Sequence, residues 1–245
     1  ISSWITPLFD SMSYATVVSI ERTAWWLHIL GILAFLNYLY YSKHLHILIA
    51  FPNTFYANLN PLGRFSHSAA VANEVKLMMN PSAESYAPHS VESEPLRFGV
   101  SDVNDLNRVQ LMNAYSCTEC GRCSDVCPAN QTGKKLSPRK IMMDTRDRLE
   151  QVGKLLNRGL EIDNNTLLDN YISREELWAC TTCNACVEVC PISIDPLSII
   201  MDMRQYLVME QSSAPTELNV MMSNIENNGA PWPFNQQDRL NWSKE

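Results

Sequence analysis

C-T-E-C-G-R-C-S-D-V-C-P at residues 117–128 and C-T-T-C-N-A-C-V-E-V-C-P at residues 180–191 are one pattern written twice, C-x2-C-x2-C-x3-C-P. Together they hold all eight cysteines of the chain: Cys117, Cys120, Cys123 and Cys127, then Cys180, Cys183, Cys186 and Cys190, with Pro128 and Pro191 following. Three thiols at intervals of three positions can wrap a loop around one [4Fe-4S] cubane and reach three of its irons, while the fourth is carried away to a neighbouring cluster. The spacing therefore assigns one cluster to Cys117, Cys120, Cys123 and Cys190, and a second to Cys180, Cys183, Cys186 and Cys127. Zinc also accepts four thiolates, but from two separated pairs, and a third cysteine at the same short interval in both motifs has no use there. Gly121 and the small residues Ser116, Ser124, Thr181, Thr182 and Ala185 leave room for a cluster and for backbone N–H groups to face its sulfurs.

A disulfide framework spreads its cysteines along a small secreted chain, whereas here they sit in two eleven-residue windows, which predicts a reducing compartment. The net charge of −7 excludes nucleic acid as a partner, because phosphate binding needs clustered Lys and Arg. The chain opens on Ile1 and not on Met, which predicts a processed chain or residues upstream.

Apolar residues gather near the start. Thr23 to Ser42 is a run of twenty residues without a formal charge, framed by Glu21 and Arg22 before it and Lys43 after. That length matches a hydrocarbon core of about 30 Å at about 1.5 Å per helical residue. Trp25, Trp26, Tyr38, Tyr40 and Tyr41 lie towards its ends, where amphipathic rings favour the interface. A spanning helix over about 22–46 is expected, with Lys43, His44, His46 and Arg64 placing the rest on the cytoplasmic side of a cell inner membrane. Residues 47–65 remain apolar but carry Pro52 and Pro61, and read as interfacial chain that completes a membrane segment over 1–65.

The remainder divides into a Ser-, Ala-, Glu- and Pro-rich linker at 66–100, a cluster domain at 101–210 and a partner-docking tail at 211–245. Within the cluster domain Ser101 is a candidate N-cap for a helix to about Ala114, and Ser137-Pro138 opens another to about Val152. Ser173 with Glu176 forms a capping box ahead of Cys180, and Asp195-Pro196 opens a last helix to about Met209. Strand signals are scarce. The fold class expected is mainly α, one transmembrane helix followed by an alpha-helical domain with two clusters.

The 52 residues between Cys127 and Cys180 are far more than a compact ferredoxin needs. This helical insert resembles the alpha-helical ferredoxin domain of the C-type heterodisulfide reductase proteins and of the iron-sulfur subunits of succinate, glycerol-3-phosphate and glycolate oxidoreductases, over about residues 100–210. Such a domain is wiring shared by many enzymes, so the resemblance is informative for cofactor and weak for substrate.

His28 lies in the apolar run and His46 eighteen residues later, roughly five helical turns, so on one continuous helix they share a face about 27 Å apart. An intramembrane histidine is a functional candidate, and neutral imidazole is an axial ligand of haem. The stretch S-K-H-L-H-I-L-I-A-F-P at 42–52 also resembles a helix end in the gamma subunit of respiratory nitrate reductase. That resemblance implies that His28 and His46 ligate two haem b groups whose opposite ligands come from residues upstream or from another polypeptide. Joined together, the two parts resemble membrane oxidoreductases of the heterodisulfide-reductase-related group, including bacterial quinone reductases for electron-transfer flavoprotein. The implied function is electron conduction between a soluble partner, the clusters, haem b and the quinone pool, with a non-haem membrane anchor as the alternative. Implied partners are a CCG-type, heterodisulfide-reductase-B-like protein or a flavoprotein donor, other membrane subunits and quinone. No nucleotide fingerprint or nucleophile constellation is present, which leaves the chain without a substrate site of its own.

Overall fold

The computed structural model describes residues 5–42, 44–64, 72, 75, 76, 78, 79 and 98–244, and among these there is no strand, only an isolated bridge between Leu168 and Ile172. The chain is mainly helical, as its sequence predicts. Seven α-helices longer than a single turn are described: α1 Tyr14–Leu39, α2 Leu45–Phe55, α3 Arg108–Ser116, α4 Pro138–Asn157, α5 Arg174–Ala179, α6 Pro196–Met209 and α7 Thr216–Asn228. The linker expected at 66–100 falls largely outside the described residues.

α1 begins at Ser13, whose hydroxyl accepts the Thr16 N–H at 3.3 Å. Its 26 residues span about 39 Å at about 1.5 Å each, enough to cross a bilayer. Only Leu39, at the helix end, is buried, while Leu27, Leu30, Leu33 and Leu36 are more than half exposed. An apolar helix with no protein around it needs lipid or neighbouring subunits to cover it.

The expected continuation of this helix to 46 does not occur. After Leu39 the backbone tightens into i→i+3 turns, Tyr41 N–H to the Tyr38 carbonyl and Ser42 N–H to that of Leu39, and a new helix starts at Leu45. The first part of the stretch expected as interfacial chain, 47–55, thus belongs to α2, helical in spite of the Pro52 within it. Proline removes one backbone donor, and packing outweighs that loss: α2 lies along α3, and Asn53, buried, donates to the Ile192 carbonyl at 2.8 Å. Its opposite side keeps Phe51 and Phe55 exposed.

The cluster domain has one core. Ile141, Met142 and Val152 of α4 meet Ile199, Ile200, Met203 and Leu207 of α6, with Leu167, Leu168, Ile172 and Leu177 between them. Each of these large aliphatic side chains is almost fully buried, worth about 1.5–3 kcal/mol apiece. The expected N-cap at Ser101 is replaced. Asp102 and Asp105 form a capping box around a short 3-10 turn, Val103–Asp105, and Asn107 with Gln110 forms another that starts α3. The other predicted starts hold: Ser137 accepts from Lys140 N–H before α4, Ser173 and Glu176 form their box before α5, and Asp195 accepts from Ser198 N–H before α6. α4 runs a turn beyond the expected end, to Asn157.

Two ties close the domain. Arg148, fully buried on α4, makes a fork with Asp102 (Nε to Oδ1 3.0 Å, Nη2 to Oδ2 2.8 Å), bonds Asp163 at 2.5 Å and donates to the Asn165 carbonyl. Gly99, at φ +86°, brings the domain's first residues against α6 so closely that a Cβ would stand 2.4 Å from the Asp202 oxygen and the Tyr206 nitrogen. There Val100 N–H donates to the Asp202 carbonyl at 3.1 Å.

In the tail, α7 has no buried residue, and Trp232, Phe234, Leu240 and Trp242 are exposed.

Candidate metal centre

The two cysteine motifs fold alike. Each opens on the C-cap of a helix, Cys117 of α3 (φ −70°, ψ 120°) and Cys180 of α5 (φ −70°, ψ 126°). Two residues later the chain enters the left-handed region, at Glu119 (φ 60°) and Thr182 (φ 55°), and two further on it does so again, at Gly121 (φ 87°) and Asn184 (φ 61°). Side chains seldom adopt such values, so the loops hold a conformation that something must justify. The result is that the Thr182 N–H faces the Cys180 sulfur at 3.4 Å, and a Glu119 backbone bond does the same for Cys117. One-turn helices then follow, Arg122–Asp125 and Ala185–Glu188, and these two touch each other.

All eight thiols are free. Cys127 and Cys186 are buried, Cys117, Cys123, Cys180 and Cys190 half-buried, and only the second cysteine of each loop, Cys120 and Cys183, is exposed. Burial raises the thiols of Cys117, Cys123 and Cys180 above the ordinary cysteine range, and pushes Cys186 up to about 12. Buried thiolates close together are therefore costly unless a positive group shares the site.

The two motifs stand against each other: Cys190 acts electrostatically on Cys117, Cys127 acts on Cys180, and both Cys123 and Cys127 act on Cys186. A cavity of ≈ 120 Å³ is lined by five cysteines, Cys117, Cys120 and Cys123 of the first motif and Cys186 and Cys190 of the second, with Ile192, Ile194 and Ala50 around them. Among the described residues no three His, Cys, Asp or Glu side chains stand close enough to hold a single metal ion. A cubane, whose irons are spread over its corners, keeps its thiolates farther apart than one tetrahedral zinc would. Ser116, immediately before Cys117, has a fully buried hydroxyl with no partner among the described residues, a donor left over beside the loop. Donor set, cavity and spare hydroxyl fit an iron-sulfur cluster.

The histidines separate. His28 is exposed near the middle of α1, whereas His46, on α2, lines the cavity of Cys117, Cys120, Cys123 and Cys190. The break after Leu39 removes the continuous helix on which a shared face depends. His46, with Tyr40, Tyr41, His44 and Tyr115, also borders a cleft of ≈ 1190 Å³ between the foot of α1 and α4.

Arginines that the sequence reading left out stand next to both motifs. Arg146 bonds Glu119 at 2.6 Å and acts on Cys117. Arg204, on α6, donates to the carbonyls of Leu177 (3.0 and 2.6 Å) and Cys180 (2.5 Å). Nothing local in the sequence marks Arg204, which lies 24 residues beyond the cysteine it serves.

Comparison with known proteins agrees with this geometry. Residues 116–194 match the family model described as a 4Fe-4S dicluster domain. Over its whole length the chain is 30% identical to a probable iron-sulfur-binding oxidoreductase, FadF, of Bacillus subtilis, of which it covers 36%. Over 97% of its length it is 28% identical to the EtfAB:quinone oxidoreductase of Syntrophomonas wolfei, of which it covers 33%. A probable membrane-anchored ferredoxin of Chromohalobacter salexigens is 31% identical over 60% of the chain and 24% of that protein. Heterodisulfide reductase subunits of Methanosarcina species align as well. The chain thus spans about a third or less of the three relatives first named. No solved structure matches it.

Proposed function

From the premise that this chain carries a 4Fe-4S dicluster domain and is homologous to heterodisulfide-reductase-related and iron-sulfur oxidoreductases, we propose that it is the membrane-associated electron conductor of a larger redox assembly. Cys117, Cys120, Cys123 and Cys190 hold cluster one, and Cys127, Cys180, Cys183 and Cys186 hold cluster two. The observation that supports this is the cavity that Cys190 of the second motif lines together with Cys117, Cys120 and Cys123 of the first.

The clusters supply one-electron transfer when bound; everything else is the work of the protein. Buried Cys127 and Cys186 both anchor cluster two on its inner side, half-buried Cys117, Cys123 and Cys190 hold cluster one, and the touching one-turn helices keep the two close. Exposed Cys120 and Cys183 bring an edge of each to the surface, where a soluble donor, a flavoprotein or a CCG-type protein, can meet one of them. All eight thiols are committed, so disulfide chemistry belongs to a partner.

Electrons then reach the membrane side, where α1 fixes the domain on the cytoplasmic face of the inner membrane and the quinone pool is the acceptor or donor. The similarity to a quinone oxidoreductase and the cleft at the foot of α1 support this reading. His28, within the apolar helix, is the residue positioned to ligate haem b together with a neighbouring helix. His46, facing cluster one, serves that end of the route. Reduced-minus-oxidised spectra of the native membrane assembly test this. Sharp b-type bands that disappear in His28→Leu are expected. A native assembly that lacks them is the non-haem anchor and docking module instead.

A further inference from the structure

The two cysteine loops start from the same C-cap conformation and share two left-handed positions, so side chains are the place to look for a difference between the clusters. One such difference stands out. The left-handed position after the first cysteine is Glu119 in one motif and Thr182 in the other. Both provide the same backbone bond to the first cysteine, so that contribution cancels. The charges do not.

Beside the first motif, the Arg146 guanidinium is met by Glu119 at 2.6 Å, with Asp147 at 3.8 Å. Its positive charge is offset where it stands, while Arg122 and Arg139 also line the cavity of Cys117, Cys120, Cys123 and Cys190. Beside the second motif, Thr182 offers no carboxylate, and Arg204 has no ion-pair partner among the described residues. Its guanidinium is half-buried, stacks over Trp178 at 5.0 Å from the ring centre, and spends its donors on the Leu177 and Cys180 carbonyls. The carboxylates nearest in sequence on α6 are engaged elsewhere: Asp195 caps the helix through Ser198, and Asp202 takes the Gln110 amide at 2.6 Å. Burial lowers the Arg204 proton affinity, and the Cys180 thiol opposes that.

Net local charge and hydrogen bonding set the reduction potential of a cluster, because the reduced form carries one more negative charge. An uncompensated cation favours that form; a neutralised one does so far less. We infer that Arg204 raises the reduction potential of the cluster of Cys180, Cys183, Cys186 and Cys127, and that Glu119 lowers that of the cluster of Cys117, Cys120, Cys123 and Cys190 by cancelling Arg146. Arg204 is a positioning residue: it also fixes the carbonyls on either side of the α5 terminus from which the second loop starts.

The inference rests on the crossed ligand assignment proposed above. Its test is an EPR-monitored redox titration of anaerobic, fully loaded full-length protein, comparing wild type with Arg204→Met, Arg204→Lys and Glu119→Gln. Two cubane signals are expected in the wild type. Arg204→Met lowers one midpoint by at least a tenfold change in the oxidised-to-reduced ratio at fixed potential, about 59 mV for one electron. Arg204→Lys, which keeps the charge and loses the fork, recovers most of that shift. Glu119→Gln raises the other midpoint. If Arg204→Met lowers neither midpoint, if Lys behaves as Met does, or if Glu119→Gln moves the same signal as Arg204→Met, the inference is overturned while the ligand assignment stands. Absence of two cubane signals from the wild type overturns both. Should the Arg204 variants fail to fold, the Glu119→Gln shift decides, since Glu119 supports no helix.

Discussion

Arg148→Met removes the one fully buried guanidinium of the cluster domain while leaving every cysteine loop untouched. The loss can be worked from its partners. Asp102 forfeits both limbs of a fork but keeps the Leu167 N–H at 3.1 Å. Asp163 forfeits a 2.5 Å bond but keeps Gln151 at 2.7 Å and Asn165 at 2.9 Å, and it is partly open to solvent. Breaking a buried ion pair from one side costs about 3–5 kcal/mol, and the surviving bonds and solvent access put this case at the low end, about 3 kcal/mol. At about 2–4 °C per kcal/mol for a chain of this size, the temperature at which visible iron-sulfur absorption is half lost should fall by about 6–12 °C. Arg148→Lys should fall by about half as much, since an ammonium keeps a charge but cannot bridge both carboxylates. The Arg148 guanidinium holds the Asp163 carboxyl below the ordinary carboxylate range. A depressed carboxyl contributes stability above its unfolded pKa, about 3.9, and loses it as pH falls through the folded value, so the deficit of the variant is constant from pH 6 to 8. A fall of less than about 2 °C would refute the reasoning and show that the network is replaceable.

Gly99→Ala combines a left-handed φ with a Cβ at 2.4 Å from α6 backbone, whereas Gly133→Ala, at φ +78° with open space around it, has only the first penalty. The open site should cost about 1–2 kcal/mol and Gly99 clearly more, with α6 protected less against proteolysis; equal losses would mean that the close approach is unimportant. Burial raises the Asp202 carboxyl above its ordinary value, with the Gln110 amide opposing. A raised folded pKa means that stability is fully present below the unfolded value and lost as pH rises through the folded one, so Asp202→Asn should melt above wild type at pH 7.5. A variant melting below wild type there would contradict that desolvation balance.

Much of the cluster domain was legible because its signals are local. Ser137-Pro138, Ser173 with Glu176, and Asp195-Pro196 act within one turn of where they stand, and each starts the helix it announces. The repeated cysteine spacing likewise carried the cofactor. Where the reading failed, distant contacts decided. Tyr38 to His46 has the composition of a continuing helix, yet docking of α2 on α3, with Asn53 reaching Ile192, bends the chain after Leu39 and takes His46 to the cluster cavity. Ser101 looked like a cap until Asp102, held by Arg148 from 46 residues away, took that role. Arg204 was invisible for the same reason, although writing the two motifs one above the other already exposes Glu119 against Thr182.

The crossing of Cys127 and Cys190 is best tested in a chain reduced to one cubane by replacing Cys117, Cys120 and Cys123 with alanine. Mössbauer spectra of that protein should be unchanged by Cys190→Ser, and should show one altered iron site, or loss of the cluster, with Cys127→Ser. The reverse pattern, a cubane indifferent to Cys127 and altered at Cys190, would contradict the account, because each motif would then hold its own cluster.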